Sequence, residues 1–242
     1  MKRIKLLLLR NIRARKYGIR YGRAKGYTMP TTLIMHDKKI KLYFPDENGV
    51  RVAFVDIFLD DCYGLTRLKQ EKIRTILDIG ANIGLFSLAA RAFFPDGMIH
   101  AYEPNPRLMP YLSHQAAVGK ISYFSEAVGK ESGQVSLQDC QDSVMGAVMD
   151  SPTGQIPKIA FETAIQRLGG EVDLLKLDCE GAEWDIFRER VSFKKVRFMS
   201  LEYHLMAQHT HQEIVEVVQN LGFKIFCQIP SPVTGILQAF RK

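Results

Sequence analysis

The sequence predicts an α/β fold: a mostly parallel sheet with helices on both faces, preceded by a small N-terminal extension that contains a β-hairpin. Two observations carry that expectation. From Thr75 onward, short and nearly continuous apolar runs alternate with helical patterns, as parallel strands do when crossover helices cover them on both sides. At Asp78-Ile-Gly-Ala-Asn-Ile-Gly84 a glycine-bearing turn sits where a strand gives way to a helix. Right-handed crossovers then bring the carboxyl ends of the strands to one rim, where ligands bind in doubly wound sheets.

The elements follow in order. Residues 1–26 hold ten Lys and Arg and no acid, leaving 23 basic against 26 acidic residues in the rest, so the formal +7 of the 242-residue chain is a basic arm on a body of −3. As a helix the arm sets Ile4, Leu7, Leu8 and Ile12 on one face. It reads first as a helix docked on the body with its charge solvated, then as a basic helix on an anionic membrane surface, and last as a nucleic-acid contact. Thr32 to His36 and Lys39 to Phe44 alternate around Asp37-Lys38 as a hairpin. Pro45 to Gly49 closes it as a loop, and a helix is expected from about Val52 to Lys72.

Strands are then expected at Ile76 to Ile79, Met98 to Tyr102, Ile121 to Phe124, Val172 to Leu177 and Val196 to Leu201, with helices at Ile83 to Phe94, Pro106 to Val118, Ala182 to Val191 and His211 to Leu221. Phe223 to Gln228 and Gly235 to Phe240 close the chain as a hairpin around Pro230-Ser-Pro232. Gln138 to Lys158, rich in Gly, Ser, Pro and Asp, is long for a connection and reads as disordered or as a functional lid. The chain therefore divides into an arm (1–26), an extension (27–74) and a main domain (75–242).

Some classes drop out. The longest apolar run of the first fifty residues, Leu6 to Leu9, is far short of a membrane span or a signal-peptide core. Cys62, Cys140, Cys179 and Cys227 stand singly, which suggests neither a zinc site nor a disulfide framework and fits a reducing, cytoplasmic compartment. Peripheral contact with the inner face of the membrane stays open through the arm.

The glycine turn points to a nucleoside ligand. Nineteen residues after Gly84, Glu103 ends the next strand in His100-Ala-Tyr-Glu-Pro-Asn105, and an acid at this spacing accepts both hydroxyls of a ribose. The dinucleotide fingerprint is absent, because Asn82 stands where its middle glycine would be. Asp78 adds negative charge, which suits a cationic ligand better than a diphosphate. S-adenosylmethionine, with a sulfonium, an ammonium and a ribose, meets those terms.

Asp78-Ile-Gly-Ala-Asn-Ile-Gly84, Tyr102-Glu-Pro-Asn-Pro106, Ala127-Val-Gly129, Asp173-Leu-Leu-Lys-Leu-Asp-Cys-Glu-Gly-Ala-Glu183 and Leu201-Glu-Tyr-His204 together resemble the FkbM-type S-adenosylmethionine-dependent methyltransferases over about Thr75 to His204. The resemblance implies a class I methyltransferase fold, a seven-stranded sheet with an antiparallel last strand, and methylation of a hydroxyl on a sugar, glycolipid, polysaccharide or polyketide. It implies that Asp78, Gly80, Ala81, Asn82 and Gly84 surround the methionine part of the cofactor, that Glu103 takes the ribose, and that Glu126 and Ala127 lie by the adenine.

Methyl transfer from a sulfonium needs in-line alignment and a base for the acceptor's proton. Asp178 and Glu180 follow the fourth strand, while Glu202 and His204 end the fifth at i, i+2 and so share a face. We expect Asp178 near the sulfonium and acceptor, His204 or Glu180 as base, and Glu202 as orienting partner. Glu183 reads as a helix-start acid, and Lys176, in an apolar strand, as a structural ion pair with one of these carboxylates. A divalent metal on Asp178 with Glu202 or His204 is an option without a dedicated loop. Trp184, Phe187 and Val191 read as core at helical spacing, and His36, His100, His114, His209 and His211 as surface or satisfied core residues. The alternatives are a ribose 2′-hydroxyl RNA methylase that uses the arm, and a non-catalytic scaffold of the same fold.

Overall fold

The computed structural model describes residues 2–19, 21, 28–137, 148–206 and 209–241. Helix α1 (Lys2–Lys16) leads to strands β1 (Thr32–Met35) and β2 (Lys38–Lys41). Met35 pairs with Lys38, so the hairpin turns at His36-Asp37, one residue earlier than expected. Both turn residues have positive φ, 49° and 63°, as the tight turns that match strand twist require.

Helix α2 (Asn48–Phe54) runs on as a wider π-type segment over Val55–Asp60. Asp61 then adopts the left-handed conformation and Gly64 follows with φ 72°. The helix expected over Val52 to Lys72 thus begins earlier and stops by Asp60, because neither conformation continues a right-handed helix.

The main domain follows as β3 (Thr75–Ile79), α3 (Leu85–Phe93), β4 (Met98–Tyr102), α4 (Met109–Gly119), β5 (Ser122–Phe124), β6 (Ala127–Gly129), β7 (Gly133–Leu137), β8 (Val148–Asp150), β9 (Ile156–Ala160), α5 (Phe161–Arg167), β10 (Val172–Leu177), α6 (Glu183–Ile186), β11 (Val196–His204), α7 (His211–Asn220), β12 (Lys224–Pro230) and β13 (Thr234–Phe240). The seven-stranded sheet runs β12-β13-β11-β10-β3-β4-β5. Its strands β11, β10, β3, β4 and β5 are mutually parallel, whereas β13 is antiparallel to both β11 and β12.

Strands β6 to β9 form a second sheet in the order β6-β9-β7-β8. The expected disordered or lid segment is corrected in its second half, since 148–158 supplies β8 and most of β9; residues 138–147 lie outside the described residues. Strands this short carry too little alternation to read from sequence. Helix α6 is likewise four residues, not the expected ten.

Apolar clusters cover the two faces of the main sheet. One gathers Tyr17, Phe54, Phe58, Phe86 and Leu112, joining the N-terminal elements to α3 and α4. The other gathers Leu175, Phe161, Phe193, Tyr203 and Val218 beneath α5 and α7.

Helix α1 is docked: Ala14 is fully buried, Arg10 is paired with Asp60 at 2.5 Å, and the Arg13 guanidinium donates to the Leu59 carbonyl at 2.9 Å. The face expected to be apolar is divided. Leu7 turns toward the body, while Ile4, Leu8 and Ile12 are 66%, 59% and 64% exposed. Among the described residues no helix is long and apolar enough to cross a membrane.

Ala14→Asp should lower stability by roughly 2–4 kcal/mol, since it buries a carboxylate without a partner. Urea denaturation checks this, and an unchanged midpoint would show that α1 is not part of the folded unit.

Candidate active site

Lys176 is a lysine in a central strand, 3% exposed. Register sets it between Asp78 of β3 and Ser200 of β11. Its Nζ lies 3.3 Å from Asp78 Oδ1 and 3.4 Å from Asp178 Oδ2, and donates to the Gly80 carbonyl at 2.5 Å. Burial alone lowers an ammonium's pKa, but Asp178 and Asp78 outweigh it and hold Lys176 protonated above its ordinary value. The Asp78 carboxyl is raised by its complete burial, against the pull of Lys176 and of the Ser87 hydroxyl that donates to it at 2.6 Å. One cation thus fixes the base of the glycine turn and the first residue beyond β10.

Every amide of that turn is used within the protein. Gly80 and Ala81 both donate to the Tyr102 carbonyl at 3.0 and 2.9 Å, and Asn82 donates to Glu103 Oε2 at 2.8 Å. The Ile83 amide donates to the Asn82 side chain and Gly84 to the Ala81 carbonyl, each at 2.8 Å. No N–H in the run is left to cradle a phosphate. Gly80 is obligatory, because at φ 76° a Cβ would collide with the Asp178 carbonyl oxygen.

Glu103, 7% exposed, accepts from Asn82 on one oxygen and from the Asn105 amide at 2.9 Å on the other. Each oxygen keeps a lone pair, enough for two ligand hydroxyls. Burial lifts this carboxyl to about 7, against those two amides.

The opposite pole gathers interacting titratable groups. His204 Nδ1 lies 3.0 Å from Glu183 Oε1, and the same oxygen accepts the His204 amide at 2.7 Å. His204 Nε2 lies 3.2 Å from Glu180 Oε2. Burial opposes charge on the ring, but the bond to Glu183 and the charges of Glu180 and Asp178 raise it to about 9, so near neutral pH it is an imidazolium. Glu180 is raised to about 7 by burial, although His204 pulls the other way. The Trp184 indole donates to the His204 carbonyl at 2.8 Å and stacks on His209 at 3.7 Å, fixing the end of β11.

Tyr63 joins the cluster from the N-terminal extension. Its hydroxyl oxygen is 3.0 Å from Asp178 Oδ2 and 3.2 Å from Glu202 Oε2. A hydroxyl has one proton, so both contacts are satisfied when Glu202 is protonated and donates to Tyr63, which donates to Asp178. Glu202 is suited to this, since burial and then Asp178 push it up to about 7. Burial and the same two carboxylates raise the phenol well above its ordinary range. The segment is pinned on both sides, with Ser200 Oγ donating to the Tyr63 carbonyl at 2.7 Å and Gln238 to the Cys62 carbonyl at 2.8 Å.

Tyr63, Glu103, Lys176, Asp178, Glu180, Glu202 and His204 line one cleft of about 1290 Å³, larger than the roughly 300–1,000 Å³ of a single drug-sized ligand. Its walls carry eight carboxylates against three Lys and Arg side chains, a surface for cationic rather than polyanionic ligands. Burial pushes the Cys62 and Cys179 thiols well up, which argues against thiolate chemistry there.

Of the expected residues, Gly80, Ala81, Asn82, Glu103, Glu126, Ala127, Asp178, Glu180, Glu202 and His204 line the cleft together. Asp78 and Gly84 do not. Asp78 is sealed behind the turn by Lys176 and Ser87, and Gly84, at φ 86°, caps α3 where a Cβ would press on Leu112. Glu126 is engaged by Arg167. The orienting partner of His204 is Glu183, not Glu202, which faces Tyr63 instead. Asp178, Glu180 and His204 offer ligand atoms within 4.8 Å of one another, but a metal would first have to displace a proton held to about 9. Val191 is 65% exposed, so it is not core, whereas Phe187 is buried and Trp184 packs beside it. Tyr63 carried no sequence signal, because it fell inside the expected helix; Gly64 beside it was the available hint of a turn.

Strand order and cleft define the class I methyltransferase fold. It is shared with magnesium protoporphyrin IX methyltransferase from Synechocystis PCC 6803, solved with S-adenosylmethionine bound, at a TM-score of 0.51 and 12% identity over 80% of this chain and 82% of that one. Within that class the chain belongs to the FkbM methyltransferase family, whose domain model matches residues 78–225. It is 26% identical over 206 residues to methyltransferase sdnD of Sordaria araneosa, covering 65% of this chain and 75% of that one. It is 22% identical over 236 residues to the 31-O-demethyl-FK506 methyltransferase FkbM of Streptomyces tacrolimicus, covering 75% and 88%.

Lys176→Met should cost roughly 3–5 kcal/mol, because Asp78 is left buried without its cation. Adding Asp78→Asn should recover much of that loss. A single variant as stable as the wild type in urea would remove Lys176 from the centre of the site.

Proposed function

We propose that the protein is an S-adenosylmethionine-dependent O-methyltransferase acting on a hydroxyl of a sugar, glycolipid, polysaccharide or polyketide-type acceptor. The observation that carries this is one cleft with two poles, Glu103 and the closed Gly80–Gly84 turn at one, and the Glu180–His204–Glu183 chain at the other. The phosphate-free, acid-lined walls fit the donor. S-adenosylmethionine supplies, when bound, an electrophilic methyl on a sulfonium.

The chain's own residues do the rest. Glu103 holds the ribose hydroxyls, Glu126 and Ala127 border the base, and Asp178 sets negative charge at the junction of the poles. Of the two base candidates, His204 is already protonated near neutral pH, so Glu180 takes the acceptor's proton. His204 holds Glu180 and lowers its pKa, and Glu183 holds His204. Glu202 and Tyr63 keep Asp178 in place. The excess of carboxylates would repel a nucleic-acid backbone at the cleft, which argues against RNA as acceptor. Cys62, Cys179 and Cys227 are free thiols, in keeping with a cytoplasmic location.

An acceptor is found by screening glycan and polyketide alcohols with methyl-labelled donor. Turnover should then be bell-shaped in pH, rising as the carboxyl cluster near 7 ionises and falling as His204 loses its proton near 9. Glu180→Gln should lower kcat by about 10²- to 10⁴-fold. His204→Gln should remove the upper limb and move the lower one to higher pH, because the cation that depresses Glu180 is gone. A Glu180→Gln enzyme of wild-type turnover would assign the base elsewhere.

A further inference from the structure

Helix α1 presents its most apolar row outward. Ile4, Leu8 and Ile12 follow one another at i, i+4 and i+8, a single stripe along the helix, and Leu9 and Leu6 are 41% and 43% exposed farther around on one flank of it. These are five of the fifteen exposed large hydrophobic residues among the described residues, gathered within nine positions. Docking does not explain them, since the inner face is already filled by Leu7, Ala14 and the arginines at 10 and 13.

The charges divide the same way. Arg10 and Arg13 are met by Asp60 and Asp61 of the body. Lys5 and Arg15 are exposed among the apolar residues, and no acid occurs anywhere in residues 1–26.

We propose that the outer face of α1 is a docking surface for an anionic phospholipid bilayer, with Ile4, Leu8 and Ile12 entering the interface and Lys5 and Arg15 meeting the headgroups. A second copy of this face is the wrong partner, because in any orientation it brings cations against cations. A groove on an acidic protein would take a narrow stripe, whereas the exposed apolar residues here spread around much of the helix. A lipid interface accepts such a spread, with long basic side chains reaching to its surface. The helix also reaches the cleft: Arg13 lines it, as do Asp56, Ile57 and Asp60 of the segment that α1 packs on. Docking in this way sets the cleft one helix away from the bilayer and does not depend on which acceptor the cleft takes.

The test is co-sedimentation of the full chain with phosphatidylcholine vesicles and with phosphatidylcholine–phosphatidylglycerol vesicles. The wild type should bind the anionic vesicles only, and less as salt rises, each basic residue near the surface contributing about fivefold. Leu8→Asp and the milder Leu8→Gln, both at a surface position, should keep the wild-type melting temperature and lose binding by roughly tenfold or more. Lys5→Glu should weaken binding and flatten its salt dependence. A wild type that ignores anionic vesicles, or Leu8 variants that bind them as well as it does, would overturn the proposal. So would a dimer in light scattering that Leu8→Gln dissociates, which would assign the face to a second copy.

Discussion

Lys176 carries an ammonium into the middle of the sheet, and the two sides of the cleft meet at that charge. A lysine is tolerated there because Asp78, Asp178 and the Gly80 carbonyl converge on it. Each belongs to a different part of the site. Asp78 lies one residue before the end of β3, Gly80 opens the turn whose Asn82 amide holds Glu103, and Asp178 opens the loop that leads to Glu180. The close approach that excludes a Cβ at Gly80 is the same junction seen from the backbone, with the turn pressed onto the Asp178 carbonyl. Charge and steric fit therefore hold the two poles in one register.

The N-terminal extension is part of this arrangement. Its π-type segment and the left-handed Asp61 swing Tyr63 over the carboxyl ends of β10 and β11, where one hydroxyl serves two carboxylates. The segment is held by Ser200 and Gln238, both from the main sheet, and by α1 through Arg10 and Arg13. Four acids at one rim would otherwise repel one another. Tyr63 meets Asp178 and Glu202, His204 meets Glu180 and Glu183, and Lys176 ties Asp178 to Asp78 behind the turn, while burial first and the neighbouring carboxylates second keep Glu180 and Glu202 raised.

The parallel strands were legible because their apolar runs are nearly continuous and alternate with helical patterns, and Glu103 because its spacing from Gly84 carries a chemical reason. The second sheet was not legible, since three-residue strands such as Ala127–Gly129 show no period. Pairings between strands were only partly legible, Lys176 with its carboxylates among those that were. Glu183 does start α6 and accepts the Gly181 amide, as a helix-start acid should, but only the fold shows that β11 also brings His204 back over it while Glu202, expected as the partner of His204, faces Tyr63. Most of the expected residues do line the cleft, Asp78 and Gly84 excepted and Tyr63 unforeseen, whereas the pairing inside it depends on distances between strands.

The central claim is that cofactor recognition and proton handling are separate poles of one cleft. Calorimetric titration with S-adenosylmethionine of the wild type, Glu103→Gln and Glu180→Gln tests it most directly. The account predicts one site in the wild type, roughly tenfold or greater weakening in Glu103→Gln from the loss of a charged hydrogen-bond acceptor, and nearly unchanged affinity in Glu180→Gln. Equal affinity of Glu103→Gln and wild type, or no binding by the wild type, would contradict it.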